Sequence, residues 1–194
     1  MNRNEPRTVV FALCGSFCTF EAVLPQVQAL VQAGWKVLPV LSGEAAVLDT
    51  RFGTARHWKE QLEAITGQKP LTTLTQVEPL GPQRMARAMV VAPCTGTTLA
   101  KLDLGISDGP VTLGVKSMLR GAHPVLLAPS TNDGLGASAV HIGSLLNRKH
   151  IYFVPFGQDD PIHKPQSLKS DFSLIPDALE SALRGRQMQP VLDL

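Results

Sequence analysis

The 194-residue chain lacks any marked excess of charge: 18 Lys and Arg stand against 16 Asp and Glu, a formal balance of +2. That near-neutrality leaves no electrostatic footprint for nucleic acid or an anionic membrane. Cysteine is scarce. Cys14, Cys18 and Cys94 form an odd, unevenly spaced set, so no disulfide framework is expected and the chain reads as reduced and cytoplasmic. Long apolar runs are missing as well, none approaching the roughly 20 residues of a membrane-spanning helix. The opening MNRNEPRTVVFALCGSFCTFEA places Arg3 and Arg7 ahead of an apolar stretch, as a secretory leader would. Gly15, Ser16 and Glu21 interrupt that stretch, and a first strand followed by a turn describes it better. His, Cys and carboxylate at metal-ligand spacing are absent, which leaves Asp159-Asp160 as loop surface and no metal site expected.

What is present is a globular composition, 44% hydrophobic and 18% charged, in a length that suits one domain over residues 1–194. Such a chain buries about 70% of its unfolded surface, which excludes a disordered tail protein. Short apolar runs bounded by turn residues recur at Thr8 to Leu13, Lys36 to Leu41, Ala88 to Ala92, Pro124 to Ala128 and Ile151 to Pro155. They lack strict alternation, the pattern of strands buried on both faces. Between them Glu21, Ala22, Leu24, Val27, Leu30 and Val31 form one helical stripe that Gly34 ends, and Trp58, Leu62 and Ile65 form another ahead of Gly67. Strands alternating with helices imply parallel pairing through right-handed crossovers. The expected fold class is therefore α/β, a three-layer domain with a mostly parallel sheet. Residues 1–7 are expected to be flexible, Phe156 to Phe172 to form a polar loop over the sheet edge, Ile175 to Leu183 to form a last helix, and the tail 185–194 to pack on a neighbour. Trp35, Trp58 and Tyr152 are expected in the core or at subunit contacts.

In open parallel sheets, ligands bind beyond the carboxyl ends of the strands, where helices begin with free N–H groups. Four turns occupy that position. Leu13-Cys14-Gly15-Ser16 offers a glycine for close approach and a hydroxyl at a helix start, fitting either an oxyanion or a plain cap. It is neither G-x-G-x-x-G nor G-x-x-x-x-G-K, which disfavours ordinary dinucleotide and triphosphate cradles. Leu41-Ser42-Gly43 ends the second strand without the acidic residue that commonly holds an adenosine ribose. APCTGTTLAK sets Pro93 at a strand end and then Thr95, Gly96, Thr97 and Thr98 at a helix entrance, a wall for a flat polar ring. APSTNDGLG repeats the theme with Ser130, Thr131, Asn132 and Asp133, which favours one shared pocket.

GSFCTFEAVLPQVQAL, TRFG, EPLGP, the Thr-Gly-Thr turn with AKL and SDGPV, PSTNDGLG, and FGQDDP with KPQS together resemble the family of dipicolinate synthase B subunits. That family lies within the wider flavoprotein group of FMN-binding Cys-type decarboxylases and flavin prenyltransferases. The resemblance runs from about Thr8 to Leu192. It implies a Rossmann-like fold, FMN as cofactor and a homo-oligomer built on trimers. It further implies a dicarboxylate substrate and a partner A subunit carrying NAD(P), in the mother-cell cytoplasm of a spore former. Through it Gly15 and Ser16 correspond to the turn that holds the FMN phosphate, Ser42 to the hydroxyl after strand two, and Pro93, Thr95, Gly96 and Thr97 to the flavin motif. Thr97 replaces the asparagine of that motif, which removes an amide able to donate and accept. Asp108 resembles a helix start of the group, with Lys116 near a basic group facing the phosphate or simply solvated. The group's decarboxylases use a His before the third strand, but this chain has no His between Trp58 and Ala122. In their Pro-x-Met-Asn-x-x-Met clamp, Pro129 and Asn132 persist while Thr131 and Leu135 replace the methionines.

Arg51 in the TRFG turn has the planar fork that pairs with a carboxylate, and it joins Thr131 and Asn132 as substrate-binding candidates. His163 and Lys164 either reach a dicarboxylate or are solvated. Cys14 and Cys94 lie near the presumed pocket, as thiol nucleophiles or as small buried packing; no base stands beside them in sequence. No catalytic base can be nominated. The expected activity is that of an oxidoreductase subunit converting dihydrodipicolinate to dipicolinate. The alternatives are an independent FMN-dependent decarboxylase and a non-catalytic scaffold for the partner.

Overall fold

A computed structural model describes residues 7–192. Strand β1 (Thr8–Leu13) leads through a short 3-10 turn into helix α1 (Phe20–Gln32), and β2 (Lys36–Leu41) is followed by α2 (Gly43–Val47), α3 (Ala55–Thr66) and α4 (Leu74–Val77). Strand β3 (Ala88–Cys94) precedes α5 (Gly96–Asp103) and α6 (Pro110–Arg120), and β4 (Val125–Thr131) precedes α7 (Ala139–Leu146). Then come β5 (Ile151–Phe153), β6 (Phe156–Asp160), β7 (Lys164–Ser170) and α8 (Ile175–Leu183). The start and end residues anticipated for β1, β2 and α8 coincide with those observed, and Gly67 closes α3 in the left-handed conformation at φ 66°.

The first five strands are parallel in the order β2-β1-β3-β4-β5. Both faces are covered, so neither can be polar. Along β1, Val9, Phe11 and Leu13 enter one core with Phe20, Val27, Trp58, Leu62 and Leu179, beneath α1, α3 and α8. Val10 and Ala12, with Cys14 just past the strand, enter the other, with Leu99, Val115, Met118 and Leu145 from α5, α6 and α7. The period-two alternation of one buried strand thus feeds two cores, and the three-layer α/β expectation holds. No described helix is long and apolar enough to cross a membrane. Trp35 and Trp58 are buried, and Tyr152 packs against the first core.

Two expectations need correction. The polar stretch expected as a loop forms an antiparallel hairpin of β6 and β7, which joins the sheet where Ser130 and Thr131 of β4 pair with Lys169 and Leu168. Its few apolar residues hid it, because the ladder satisfies its backbone. Asp159 also accepts from Lys164 at 2.9 Å and lies 3.0 Å from Lys169, so these charges are paired across the hairpin. Leu168 seats the hairpin: a Cβ on Gly134 would stand 2.6 Å from its side chain. The tail, expected on a neighbour, folds back on its own sheet. Gln187 exchanges hydrogen bonds with Phe153 at 2.8 and 2.7 Å, and the Phe156 amide donates to the Val191 carbonyl at 3.1 Å. The flexible segment expected at 1–7 lies outside the described residues except for Arg7, which pairs with Glu180 at 3.3 Å and stacks on Trp35.

If the hairpin is a seated part of the sheet, Leu168→Ala should lower the free energy of urea unfolding by about 2–4 kcal/mol. A mobile loop would leave the midpoint unmoved.

Candidate functional site

The strand order reverses between β1 and β3, so the connections leaving these two strands turn to opposite faces and open a crevice at their carboxyl ends. The Cys14 amide spans it, donating to the Pro93 carbonyl at 3.2 Å, and the peptide before Pro93 is cis. Two adjoining clefts lie beyond this crossing and share Gly15, Phe17, Thr95 and Thr97 as a common wall.

The first cleft, about 540 Å³, falls in the range of small-molecule sites. The starts of α2, α5 and α6 all reach it, through Ser42 to Glu44, through Thr95, Thr97 and Thr98, and through Gly109 to Thr112. Ser42 and Thr95 use their hydroxyls as caps, accepting from the Ala45 amide at 3.2 Å and the Thr98 amide at 3.3 Å. Thr112 accepts from the Gly109 amide at 3.1 Å. These caps consume only part of the donors at each start, and the remaining amides favour an anion. A Cβ on Gly15 would touch only the Phe17 ring at 3.6 Å and Glu44 at 3.9 Å, so this glycine leaves room at the cleft without relieving a clash. Lys101 brings positive charge and donates to Asp108 at 2.9 Å, and that bond holds the Asp108 carboxyl below its ordinary range. Phe17, Leu48 and Val111 give the cleft apolar wall.

The second cleft, about 420 Å³, lies toward β4 and adds Ser16, Cys18, Phe52, Gly96 and Ser130 to Asp133. Ser16 was expected to cap or to hold phosphate, yet its hydroxyl lies 2.9 Å from that of Ser130 and makes no cap. Its place is therefore in the second cleft, apart from the first. Asp133 accepts from Thr131 at 2.5 Å and from Ser138 at 2.8 Å. The Thr131 bond foremost holds the Asp133 carboxyl below its ordinary range. A Cβ on Gly96 would collide with the Ser138 and Thr131 hydroxyls and with this carboxylate, so Gly96 lets α5 start directly on the network. Asn132 is exposed at the rim.

Lys116 lines neither cleft and donates to Ser107 at 3.3 Å. Lys101 stands where that charge was sought, and helix period could have found it, since Thr97, Thr98 and Lys101 share one face. Arg51 also stays outside the lining, its guanidinium 4.8 Å from the centre of the Phe52 ring. Phe17, Phe52 and Val111 escaped sequence reasoning because a single apolar residue within two positions of a glycine carries no spacing signal. The EPLGP turn proves structural: the Gly81 amide donates to Ser117 at 2.9 Å, and a Cβ on Gly81 would strike the Ser117 carbonyl. His163 sits in the hairpin turn, 3.0 Å from Asp160. Cys14 and Cys94 are buried thiols, and burial pushes Cys14 up to about 11 and Cys94 well above the usual thiol value. Both stay protonated near neutrality, which suits packing. Another hollow, of about 850 Å³, lies between α1 and the hairpin.

A family model described as Flavoprotein matches residues 1–163. The B subunit of dipicolinate synthase from Bacillus subtilis (strain 168) is 40% identical over 192 residues, 99% of this chain and 96% of that protein. A crystal structure of the dipicolinate synthase B subunit from Bacillus halodurans C aligns at TM-score 0.89 and 41% identity, covering 96% of each chain. The FMN-dependent cysteine decarboxylase SpaF aligns at TM-score 0.63 and 25% identity, covering 90% of this chain and 96% of its own.

Asp133→Asn should cost about 1.5–3 kcal/mol at neutral pH, the usual worth of a hydrogen bond to a charged acceptor. Asp133 titrates lower in the folded chain than its unfolded value of about 3.9, so its contribution is complete above that value and fades as pH falls through the folded one. Urea unfolding at stepped pH should accordingly show the gap between wild type and variant narrowing below pH ~4. Ellman's reagent at neutral pH should titrate exposed Cys18 at once and reach Cys14 and Cys94 only on unfolding.

Proposed function

The chain belongs to the flavoprotein family and stands there with the dipicolinate synthase B subunits, and from that premise we propose that it oxidises dihydrodipicolinate to dipicolinate together with an NAD(P)-binding A subunit. The observation that carries this reading is likeness, over almost the whole length, to the B subunits of dipicolinate synthase. The substrate gives up a hydride to NAD(P) on the partner and a proton to solvent, and its ring becomes aromatic. Aromatisation favours the products, so the protein's work is to orient the ring, hold its carboxylates and exclude water from the transfer.

FMN fits the first cleft by its donors: the starts of α2, α5 and α6 meet around Gly15, Lys101 supplies positive charge, and Phe17, Leu48 and Val111 can flank a flat ring. Gly15, Ser42, Thr95 and Thr97 would hold it, with Pro93 and Gly96 shaping the shared wall. When bound, FMN would supply a two-electron carrier in the first cleft, across the shared wall from the dicarboxylate. Ser16, Thr131, Asn132 and Arg51 would serve the dicarboxylate in or beside the second cleft. Lys101 takes the charge role expected of Lys116. Trimer-based assembly belongs to the same proposal, and Val47, Leu104 and Val140, all more than half exposed, are apolar surface that subunit contacts could cover. Residence in the mother-cell cytoplasm belongs to it as well. The likeness to SpaF favours a decarboxylase reading, but no His lines either cleft, so the base expected for that chemistry has no counterpart there.

Added FMN should bind the purified chain, measured by the change in its visible absorption. Gly15→Ala should weaken binding about tenfold, ~1.4 kcal/mol, with an unchanged unfolding midpoint. Mixed with the A subunit, the chain should be required for turnover of dihydrodipicolinate, and Asn132→Ala should lower kcat/KM about tenfold, near the worth of one polar contact. Full activity of the A subunit alone would reduce this chain to a scaffold and end the proposal.

A further inference from the structure

The turn before α3 is built more firmly than a surface turn requires. The Thr50 amide donates to the Gly53 carbonyl at 3.0 Å and the Gly53 amide returns to the Thr50 carbonyl at 3.1 Å. The Thr50 hydroxyl donates to the same Gly53 carbonyl at 3.3 Å and accepts from the Phe52 amide at 3.2 Å. Both flanks are fixed: Asp49 accepts from the Ala55 amide at 2.9 Å, and Thr54 caps α3 through the His57 amide at 3.1 Å. Gly53 has φ +142°, and a Cβ there would stand 2.9 Å from the indole of Trp58, which is buried. The turn is therefore seated directly on the core, where only glycine fits.

This anchored turn leaves its two central residues outside. Phe52 is 40% exposed and lines the second cleft beside Ser16, Thr97, Ser130 and Asn132. Arg51 lies over the Phe52 ring and has no carboxylate partner among the described residues. Asp133, the carboxylate that lines this cleft, is already held by Thr131 and Ser138. An exposed aromatic on a rigid support offers a face to a flat ring, and the neighbouring guanidinium, held only over Phe52 and by no carboxylate, is free to swing to that ring's edge and meet its acid group.

We infer that the Thr50–Gly53 turn is the recognition element of the second cleft, with Phe52 as the wall on which a planar heterocyclic ring lies and Arg51 as the partner of a carboxylate on it. The chemistry of the ligand rests on the proposed function; the inference adds that the site distinguishes flat rings from puckered ones. A saturated ring presents axial hydrogens to the wall and holds its carboxylates out of the common plane, so stacking and the guanidinium contact cannot be satisfied together.

Titration calorimetry on the full chain saturated with FMN tests this with pyridine-2,6-dicarboxylate, pyridine-2-carboxylate and piperidine-2,6-dicarboxylate. Wild type should bind the pyridine diacid at least tenfold more tightly than the saturated diacid. Phe52→Leu should lose about tenfold for the pyridine diacid and little for the saturated one, while Phe52→Tyr should behave as wild type. Arg51→Gln should lose about tenfold for the diacid and less for the monoacid. Unfolding midpoints should stay unchanged, since both side chains lie outside the core. Equal binding of the pyridine diacid by wild type and Phe52→Leu overturns the inference, and if turnover with the A subunit persists the proposed function still stands. Failure of wild type to bind any of the three acids overturns the inference too, and absence of turnover as well would bring down both.

Discussion

A helix that follows a strand of a parallel sheet begins with amide N–H groups that its own backbone cannot satisfy. In this molecule the starts of α2, α5 and α6 are brought to one cleft at the carboxyl rim of the sheet. Capping is incomplete by construction. Ser42, Thr95 and Thr112 each satisfy one local amide, and one hydroxyl cannot serve a whole first turn. The unmet donors and the aligned peptide dipoles favour negative charge there, and Lys101 adds to that while Asp108 and Glu44, which also line the cleft, draw part of it back. A negatively charged guest relieves this arrangement at little reorganisation cost, because the donors are backbone atoms already in place.

The second consequence of the same topology is a wall with two working sides. Thr95, Thr97, Gly15 and Phe17 border both clefts, so a ligand in one sits across a single layer of protein from a ligand in the other. That wall is stiffened from behind. Gly96 allows α5 to begin against Asp133, which gathers the Thr131 and Ser138 hydroxyls, and the hairpin pins the same loop by seating Leu168 on Gly134. Packing, capping and hydrogen bonding therefore converge on the few residues that separate the two clefts. Replacing Gly96 would disturb both at once, through collision and not through the loss of any ligand contact.

The sheet was legible because burial on both faces writes itself as uninterrupted apolar runs, and Thr8–Leu13 and Lys36–Leu41 could be read to the residue. The α3 stop was legible because only Gly67 suits its left-handed end. The β6–β7 hairpin was not, since its stability comes from ladder bonds, the paired charges of Asp159 and one seated leucine, none of which makes a periodic pattern. At the site, turn residues marked where β1 and β2 end, whereas β3 and β4 run on to Cys94 and Thr131 and so take Ser130 and Thr131 into the strand. Side-chain partners were invisible too: nothing local says that Ser16 meets Ser130, 114 residues away. Lys116 turns to Ser107, whereas Lys101 shares a helix face with Thr97 and Thr98 and reaches Asp108 across the loop that follows α5, a contact no sequence period announces.

The two clefts hold few groups suited to acid–base work. Their titratable residues are Lys101 and Asp108, bound to each other, Asp133, held by two hydroxyls, Glu44, and the thiols, of which Cys14 is kept protonated by burial. Such a site is poorly equipped to cleave a bond that needs a strong base and well equipped to fix a ring. Hydride removal from a dihydropyridine is a reaction of that second kind: its driving force lies in the aromatic product, and its rate depends on holding donor and acceptor at contact distance and in line. Correct positioning alone can supply roughly 7–11 kcal/mol of a barrier. A scaffold of backbone donors, hydroxyls and one rigid aromatic turn delivers positioning without any proton having to move through the protein.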